Sequence, residues 1–225
     1  MAWTDYPFVA IDFETTGLDP TKDRVIEFGW AFFVRGKLSA SSSRLCKVDV
    51  PLSAKTIEIT KITEDMLKKQ PCIGLQISTL LNVISKATFV VTYSGTAFDQ
   101  KFLEAECARL KVLIPKRYWI DACIWVREHD KYQSGSGRHR LDVTAKRWGV
   151  SVKESHRAQA DAETAGALFC EMAKQPFLSK IKTVLEVVSR EAVLAKAQEI
   201  SYANFLISVK QRAPTITSTN TNIIV

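Results

Sequence analysis

The hydrophobic pattern begins with the short period of strands. Phe8-Val-Ala-Ile11 is an apolar run of strand length and predicts a first strand over 8–13. A second apolar run predicts a strand over 25–34, and a more polar third strand follows over 38–48, with Arg35-Gly-Lys37 as the hairpin turn between them. Consecutive strands on short turns predict an antiparallel meander. After Pro51 the period lengthens. Short helices are expected over 53–58 and 63–69, the second with Thr63 as its N-cap, and a helical stripe at 73, 77, 80, 81 and 84 predicts a helix over 73–85. Strands and helices then alternate: a buried strand over 88–93, a helix over 98–110, a short strand over 118–121 and a helix over 122–131. A basic loop, Tyr132-Gln-Ser-Gly-Ser-Gly-Arg-His-Arg140, leads to helices over 141–148, stopped by Gly149, and over 161–174.

Strands first, then strands alternating with helices, predict an α/β fold with a mixed sheet, an antiparallel meander plus parallel strands flanked by helices. Pro176 marks a boundary. Residues 176–212 read as a helical extension, apolar at 181, 184, 185 and 188 and again at 194, 197, 200, 205 and 209, and 213–225 as a polar Thr/Ser/Asn-rich tail. The 225 residues suffice for a sizeable core without disulfide staples. The cysteines at 46, 72, 107, 123 and 170 show no Cys-x-x-Cys spacing, which reads as reduced thiols in a cytoplasmic protein and argues against a zinc site. No apolar run reaches membrane-span length, and the N-terminus lacks the pattern of a secretory signal. The formal net charge of +7 suits a polyanionic partner such as nucleic acid.

The candidate chemistry starts at Asp12 and Glu14. Residues i and i+2 on a strand share a face, so the two carboxylates stand side by side at the end of a core strand. Buried acids need compensation, and a hard divalent cation with oxygen ligands supplies it. For this pair alone, two solvated acids at an exposed strand end is the plainer alternative. Asp99 and Asp161 each sit where a helix begins, a position also favoured by the helix macrodipole alone. His156 lies five residues before Asp161, about 140° around a helix, so it is expected on the preceding loop, swung back toward the acids as a candidate general base.

Three segments together resemble the DEDDh-type, DnaQ-like 3′→5′ exonucleases, the family of the proofreading subunit of bacterial replicative polymerases and of RNase T. They are Asp12-Phe-Glu-Thr-Thr-Gly-Leu-Asp-Pro20, Phe98-Asp-Gln-Lys-Phe-Leu103 and His156-Arg-Ala-Gln-Ala-Asp-Ala-Glu-Thr-Ala165. Weaker echoes are Ile62-Thr-Glu-Asp-Met66, Ile120-Asp121 and Leu141-Asp-Val-Thr-Ala145. The resemblance spans residues 6–174 and implies a ribonuclease H-like fold, with 1–175 as the exonuclease domain. It implies that Asp12, Glu14, Asp99 and Asp161 hold two divalent ions, Mg²⁺ or Mn²⁺, with Asp12 bridging, and that His156 takes the proton of the attacking water. It further implies that Thr15, Thr16, Gly17 and Leu18 seat the 3′-terminal nucleotide, with Leu18, Phe98 and Phe102 contacting bases.

The implied activity is hydrolysis of phosphodiester bonds at a free 3′ end, with single-stranded DNA as the favoured substrate and 5′-mononucleotides as products. RNA is the alternative substrate, and a non-catalytic nucleic-acid-binding module and a metal-dependent endonuclease are the alternative classes. The chain departs from the family pattern at Ser94-Gly95, where members carry His-Asn, and at Thr60-Lys61, where many carry His-Gly. Both positions bear on nucleotide placement more than on metal ligation. The stretch 176–212 falls outside the resemblance and is open to three roles: completing the core, pairing two copies, or docking a polymerase.

Overall fold

The computed structural model describes residues 3–95, 98–130, 132–133, 135–153 and 156–212, the last five by backbone alone. The expected tail over 213–225 lies outside the described residues. Five strands form one mixed sheet: β1 (Phe8–Thr15), β2 (Val25–Val34), β3 (Lys37–Leu45), β4 (Phe89–Thr92) and β5 (Tyr118–Asp121). Their order is β3-β2-β1-β4-β5. The first three are antiparallel, as the meander predicts, and β4 and β5 add in parallel on the other side of β1. The hairpin between β2 and β3 turns through Arg35 (φ 51°) and Gly36 (φ 69°), the pair of left-handed residues that matches strand twist.

β1 runs two residues further than the sequence pattern suggests. Asp12 pairs with Gly29 and Glu14 with Glu27 before the register shifts at Thr15. The strand is buried on both faces, and its alternation assigns them. Val9, Ile11 and Phe13 enter one apolar cluster with Ile77, Leu80 and Phe102, from α3 (Ile73–Lys86) and α4 (Asp99–Leu110). Phe8 and Ala10 enter the other, with Ala162, Phe169 and Met172 of α7 (Ala158–Ala173). By the same parity Asp12 and Glu14 emerge on the α7 face. The remaining helices are α1 (Ala54–Thr60), α2 (Glu64–Leu67), α5 (Ala122–His129), α6 (Leu141–Arg147), α8 (Pro176–Ser179) and α9 (Val184–Arg212). Ser53 and Thr63 cap α1 and α2 by accepting from the N–H groups of Thr56 and Met66.

α7 starts three residues before the expected Asp161 and lies unusually close to the sheet. A Cβ on Gly29 would come within 2.1 Å of the Ala158 backbone, and one on Gly166 within 2.1 Å of the Phe33 ring. These two glycines let the helix descend onto β2 and bring its first turn over Asp12. The Ala158 backbone has no flexible side chain to yield. Gly29→Ala is therefore expected to cost about 2 kcal/mol, within the range for overpacking, and to slow any reaction that needs the first turn of α7 in place. Urea unfolding and turnover measured on the same sample check this; wild-type values in both would show that α7 is free to shift.

Residues after Pro176 continue the core. Leu178, Ile181, Val184 and Val187 are buried in the cluster that holds Phe8 and Phe89. Glu191 of α9 is 5% exposed and accepts from the Asp121 N–H (2.9 Å) and the Trp125 indole N–H (2.7 Å). Among the described residues, no helix is long and apolar enough to cross a membrane.

Candidate active site

Three elements converge at the end of β1. The strand presents Asp12 and Glu14, α4 presents Asp99 in its first turn, and α7 presents Asp161 in its first turn. Asp99 is 3% exposed, and its Oδ1 accepts from the Phe13 N–H at 2.9 Å, which ties the start of α4 to β1. His156 lies in the turn before α7, as its spacing from Asp161 requires. Its backbone is left-handed (φ 63°), and its N–H donates to Asp161 Oδ2 at 2.9 Å. Glu14, His156 and Asp161 each offer a ligand atom within 4.8 Å of the others'. His156 thus stands among the metal-ligand candidates as well as being the candidate base.

The electrostatics describe a site short of positive charge. Burial pushes Asp12 well above the usual carboxylate range, and Asp99, Asp161, Glu14 and Glu27 push it further. Glu14 rises to about 8, again first by burial, then by Asp161 and Glu27, against a smaller opposing pull from Arg157. Asp99 is raised by burial despite the Phe13 N–H, and Asp161 by burial despite His156. Carboxylate oxygens, crowded and raised in this way, are the donor set that a hard divalent cation fits.

This arrangement has a stability signature. Between the ordinary glutamate value of 4.5 and about 8, folded Glu14 keeps a proton that the unfolded chain has released. The folded state binds more protons in that window, so its stability falls as pH rises through it. Asp12, Asp99 and Asp161 are raised too and act in the same sense. A cation that takes the place of those protons reverses the loss. The melting temperature of EDTA-treated protein is expected to fall between about pH 5 and pH 8, and the increment given by Mn²⁺ to grow over the same range. A flat increment would argue against these acids as the metal site.

Glu27 and Arg157 support the candidate site, and the sequence pattern does not single them out. Glu27 is fully buried in β2 and forms a two-point pair with Arg157, Nη2 to Oε1 at 3.0 Å and Nε to Oε2 at 3.1 Å. It also accepts from the Ala158 N–H at 3.3 Å and the Ser43 hydroxyl at 2.8 Å. The first turn of α7 is thus capped from the sheet rather than by its own N-cap residue, Arg157, which makes no side-chain cap bond. A buried acid inside an apolar strand was the available signal for Glu27, since such a group requires a partner.

The expected nucleotide seat divides. Thr16 donates to Asp23 Oδ1 (2.9 Å), accepts from the Arg24 N–H (3.0 Å), and its carbonyl accepts from Thr56 (3.1 Å). Thr15 is buried and donates to the Gly17 carbonyl. Gly17 leaves room for Asp23: a Cβ there would sit 2.5 Å from its Oδ2. The loop is therefore fixed, and Leu18 at its tip is 83% exposed, free to meet a base. Phe98 is half-buried, its ring 4.8 Å from that of Phe102. Phe102 itself has no exposed surface. It packs in the core under Phe98, so the expectation that it contacts a base is corrected: it supports Phe98 instead. At Gly95, one of the two departures, a Cβ would lie 2.2 Å from Asp99 Oδ2, so this backbone admits no larger residue there.

A cleft of about 530 Å³ joins Asp12, His156 and Asp161 on one wall to Ser94, Arg127 and the basic loop around Arg138 on the other. Tyr93 anchors that loop by donating to the His139 carbonyl at 2.7 Å. The loop, which as sequence reads only as flexible and basic, thus forms a positive wall facing the acids.

The profile of the RNase_T family, described as an exonuclease, matches residues 9–169. The chain belongs to this exonuclease family. It is 34% identical over 167 residues to the DNA polymerase III subunit epsilon of Treponema pallidum, covering 73% of this chain and 75% of that one. It is 30% identical over 180 residues to the PolC-type DNA polymerase III of Thermotoga maritima, covering 79% of this chain and only 13% of the polymerase. Among solved structures, E. coli exonuclease I in complex with a dT13 oligonucleotide superposes with a TM-score of 0.70 at 18% identity, over 78% of this chain and 43% of that one. Exonuclease X in complex with 5′ overhanging duplex DNA gives 0.59 at 21% identity, over 76% and 93%. At such identities the likeness is one of fold, and it bears out the ribonuclease H-like mixed sheet.

Proposed function

We propose that this protein is a metal-dependent 3′→5′ exonuclease, acting preferentially on single-stranded DNA and releasing 5′-mononucleotides. The observation that carries the reading is the convergence of Asp12, Glu14, Asp99 and Asp161 with His156 at one end of β1, in a chain of the exonuclease family. The four acids would hold two divalent ions, Mg²⁺ or Mn²⁺. Such ions, when bound, supply positive charge to the scissile phosphate and acidify water. The chain's own residues do the rest. The fixed Thr15–Leu18 loop and Phe98 seat the terminal nucleotide, so that its 5′ phosphate, the scissile linkage, faces the acids. Arg127 and the loop around Arg138 draw the polyanion into the cleft. His156 accepts the proton of the attacking water, and its neighbour Arg157, locked to Glu27, fixes where that imidazole starts.

Residues 1–175 are proposed as the exonuclease domain, with 176–212 as its helical extension, in a cytoplasmic protein. The names of the relatives support a replicative polymerase as a partner. The primary test is a time course on 3′- and 5′-labelled single-stranded DNA, duplex DNA and RNA. With Mg²⁺ or Mn²⁺, 5′-labelled strands should shorten stepwise while 3′ label leaves at once as mononucleotide, and EDTA should stop both. Strands left intact, or a circular single strand cut open, would sink the reading.

A further inference from the structure

Helix α9 lies beyond the family-matched stretch, yet it walls a groove next to the cleft. A groove of about 340 Å³ runs between α5 and α9, walled by Ile124 and Arg127 on one side and by Ala195, Gln198 and Tyr202 on the other. Its inner end is made by Ser94 and Arg127, which also line the catalytic cleft. The two depressions therefore adjoin at these two residues. Gln198 donates to the Ile124 carbonyl at 2.8 Å, and Glu191, one stretch earlier on α9, is buried against β5 and α5. This half of α9 is thus clamped in place as a wall.

We propose that this groove is the track for the part of a single strand that lies 5′ of the scissile linkage. The inference rests on the exonuclease reading and extends it to a binding surface that the family match does not cover. A strand whose 3′ end is held at the acids must leave the cleft, and the opening past Ser94 and Arg127 is a path with the required chemistry. Arg127 is exposed at the junction and forms no ion pair among the described residues, so its guanidinium is available to a phosphate. Tyr202 stands at the outer end, 62% exposed, its ring paired with that of Phe205 at 6.5 Å and 26°. An aromatic face held at the edge of a groove that offers an arginine to the backbone is what unpaired bases stack on, whatever their sequence. The two acids of the groove do not oppose an anion at full strength: Glu199 pairs with Lys196 at 3.3 Å, and Asp121 accepts from the Ser94 and Cys123 N–H groups.

The test compares kcat/KM on a single strand of about twelve nucleotides with that on p-nitrophenyl thymidine 5′-phosphate, which is too short to enter the groove. In Tyr202→Ala the ratio of the two is expected to fall about tenfold, the scale of one lost base stack, and Tyr202→Phe should restore it. Val193→Ala, on the same helix but outside the groove, serves as the surface control. In Arg127→Gln, strand binding measured by fluorescence anisotropy in EDTA should lose about 0.7 from its log–log salt slope, one phosphate contact. If wild-type protein degrades both substrates and Tyr202→Ala keeps the wild-type ratio, the track is refuted while the exonuclease reading stands. If wild-type protein leaves both intact, the reading and the track fall together.

Discussion

Asp12→Asn is expected to slow 3′-end hydrolysis about 10³-fold and, at the same time, to raise the melting temperature of the metal-free protein. The two effects share one cause. Asp12 is crowded by Asp99, Asp161, Glu14 and Glu27 in a buried place, so its negative charge destabilises the empty site. Asparagine keeps the shape and removes the charge. The same charge is what a divalent ion in the cleft requires, and that ion in turn is what attracts a phosphate. Losing several kcal/mol of transition-state stabilisation corresponds to about three powers of ten in rate. Three measurements together check it: single-turnover hydrolysis, the melting temperature in EDTA, and the increment given by Mn²⁺. The variant should lose activity, gain metal-free stability and lose most of the increment. A variant that is inactive but less stable in EDTA would mean that Asp12 is a structural acid rather than one held for a cation.

His156→Ala is expected to lower kcat about 10²- to 10⁴-fold, the usual contribution of a positioned general base, with little change in KM. The side chain sits in a left-handed turn, and only its backbone N–H bonds to Asp161. Truncation therefore leaves that hydrogen bond in place and removes the imidazole alone. Because His156 also falls within the ligand-distance cluster with Glu14 and Asp161, its role needs separating from metal ligation. A base acts on the proton, so the Mn²⁺-dependent rise in melting temperature should survive in His156→Ala, and added imidazole should recover part of the rate. If the Mn²⁺ increment disappears together with the activity, His156 is a ligand and the base assignment is wrong.

The candidate constellation of acids and histidine was readable in the sequence because each member announces itself locally. Asp12 and Glu14 follow an apolar strand at a spacing of two, Asp99 opens a helix after a buried strand, and His156 and Asp161 sit five apart around a helix start. The parallel and antiparallel halves of the sheet were readable for the same reason, since element order limits how strands can neighbour one another. What was not readable is tertiary. The partners Glu27 and Arg157 are 130 positions apart, and no local pattern joins them. The true start of α7 was hidden because its first N–H is capped by that distant glutamate. Phe102 shows the limit of periodicity: Phe98 and Phe102 share a helix side, but the spacing does not say that one turns toward the cleft edge and the other into the core.

Family resemblance and physical integrity divide this chain at different points. The match ends at residue 169, yet Leu178, Ile181, Val184 and Val187 roof the same apolar cluster as Phe8 and Phe89, and Glu191 pins α9 to β5 and α5. The segment that could be exchanged between proteins as a working module therefore ends after Glu191. Recombination at the edge of the recognisable homology would carry the clustered acids across and leave their roof behind.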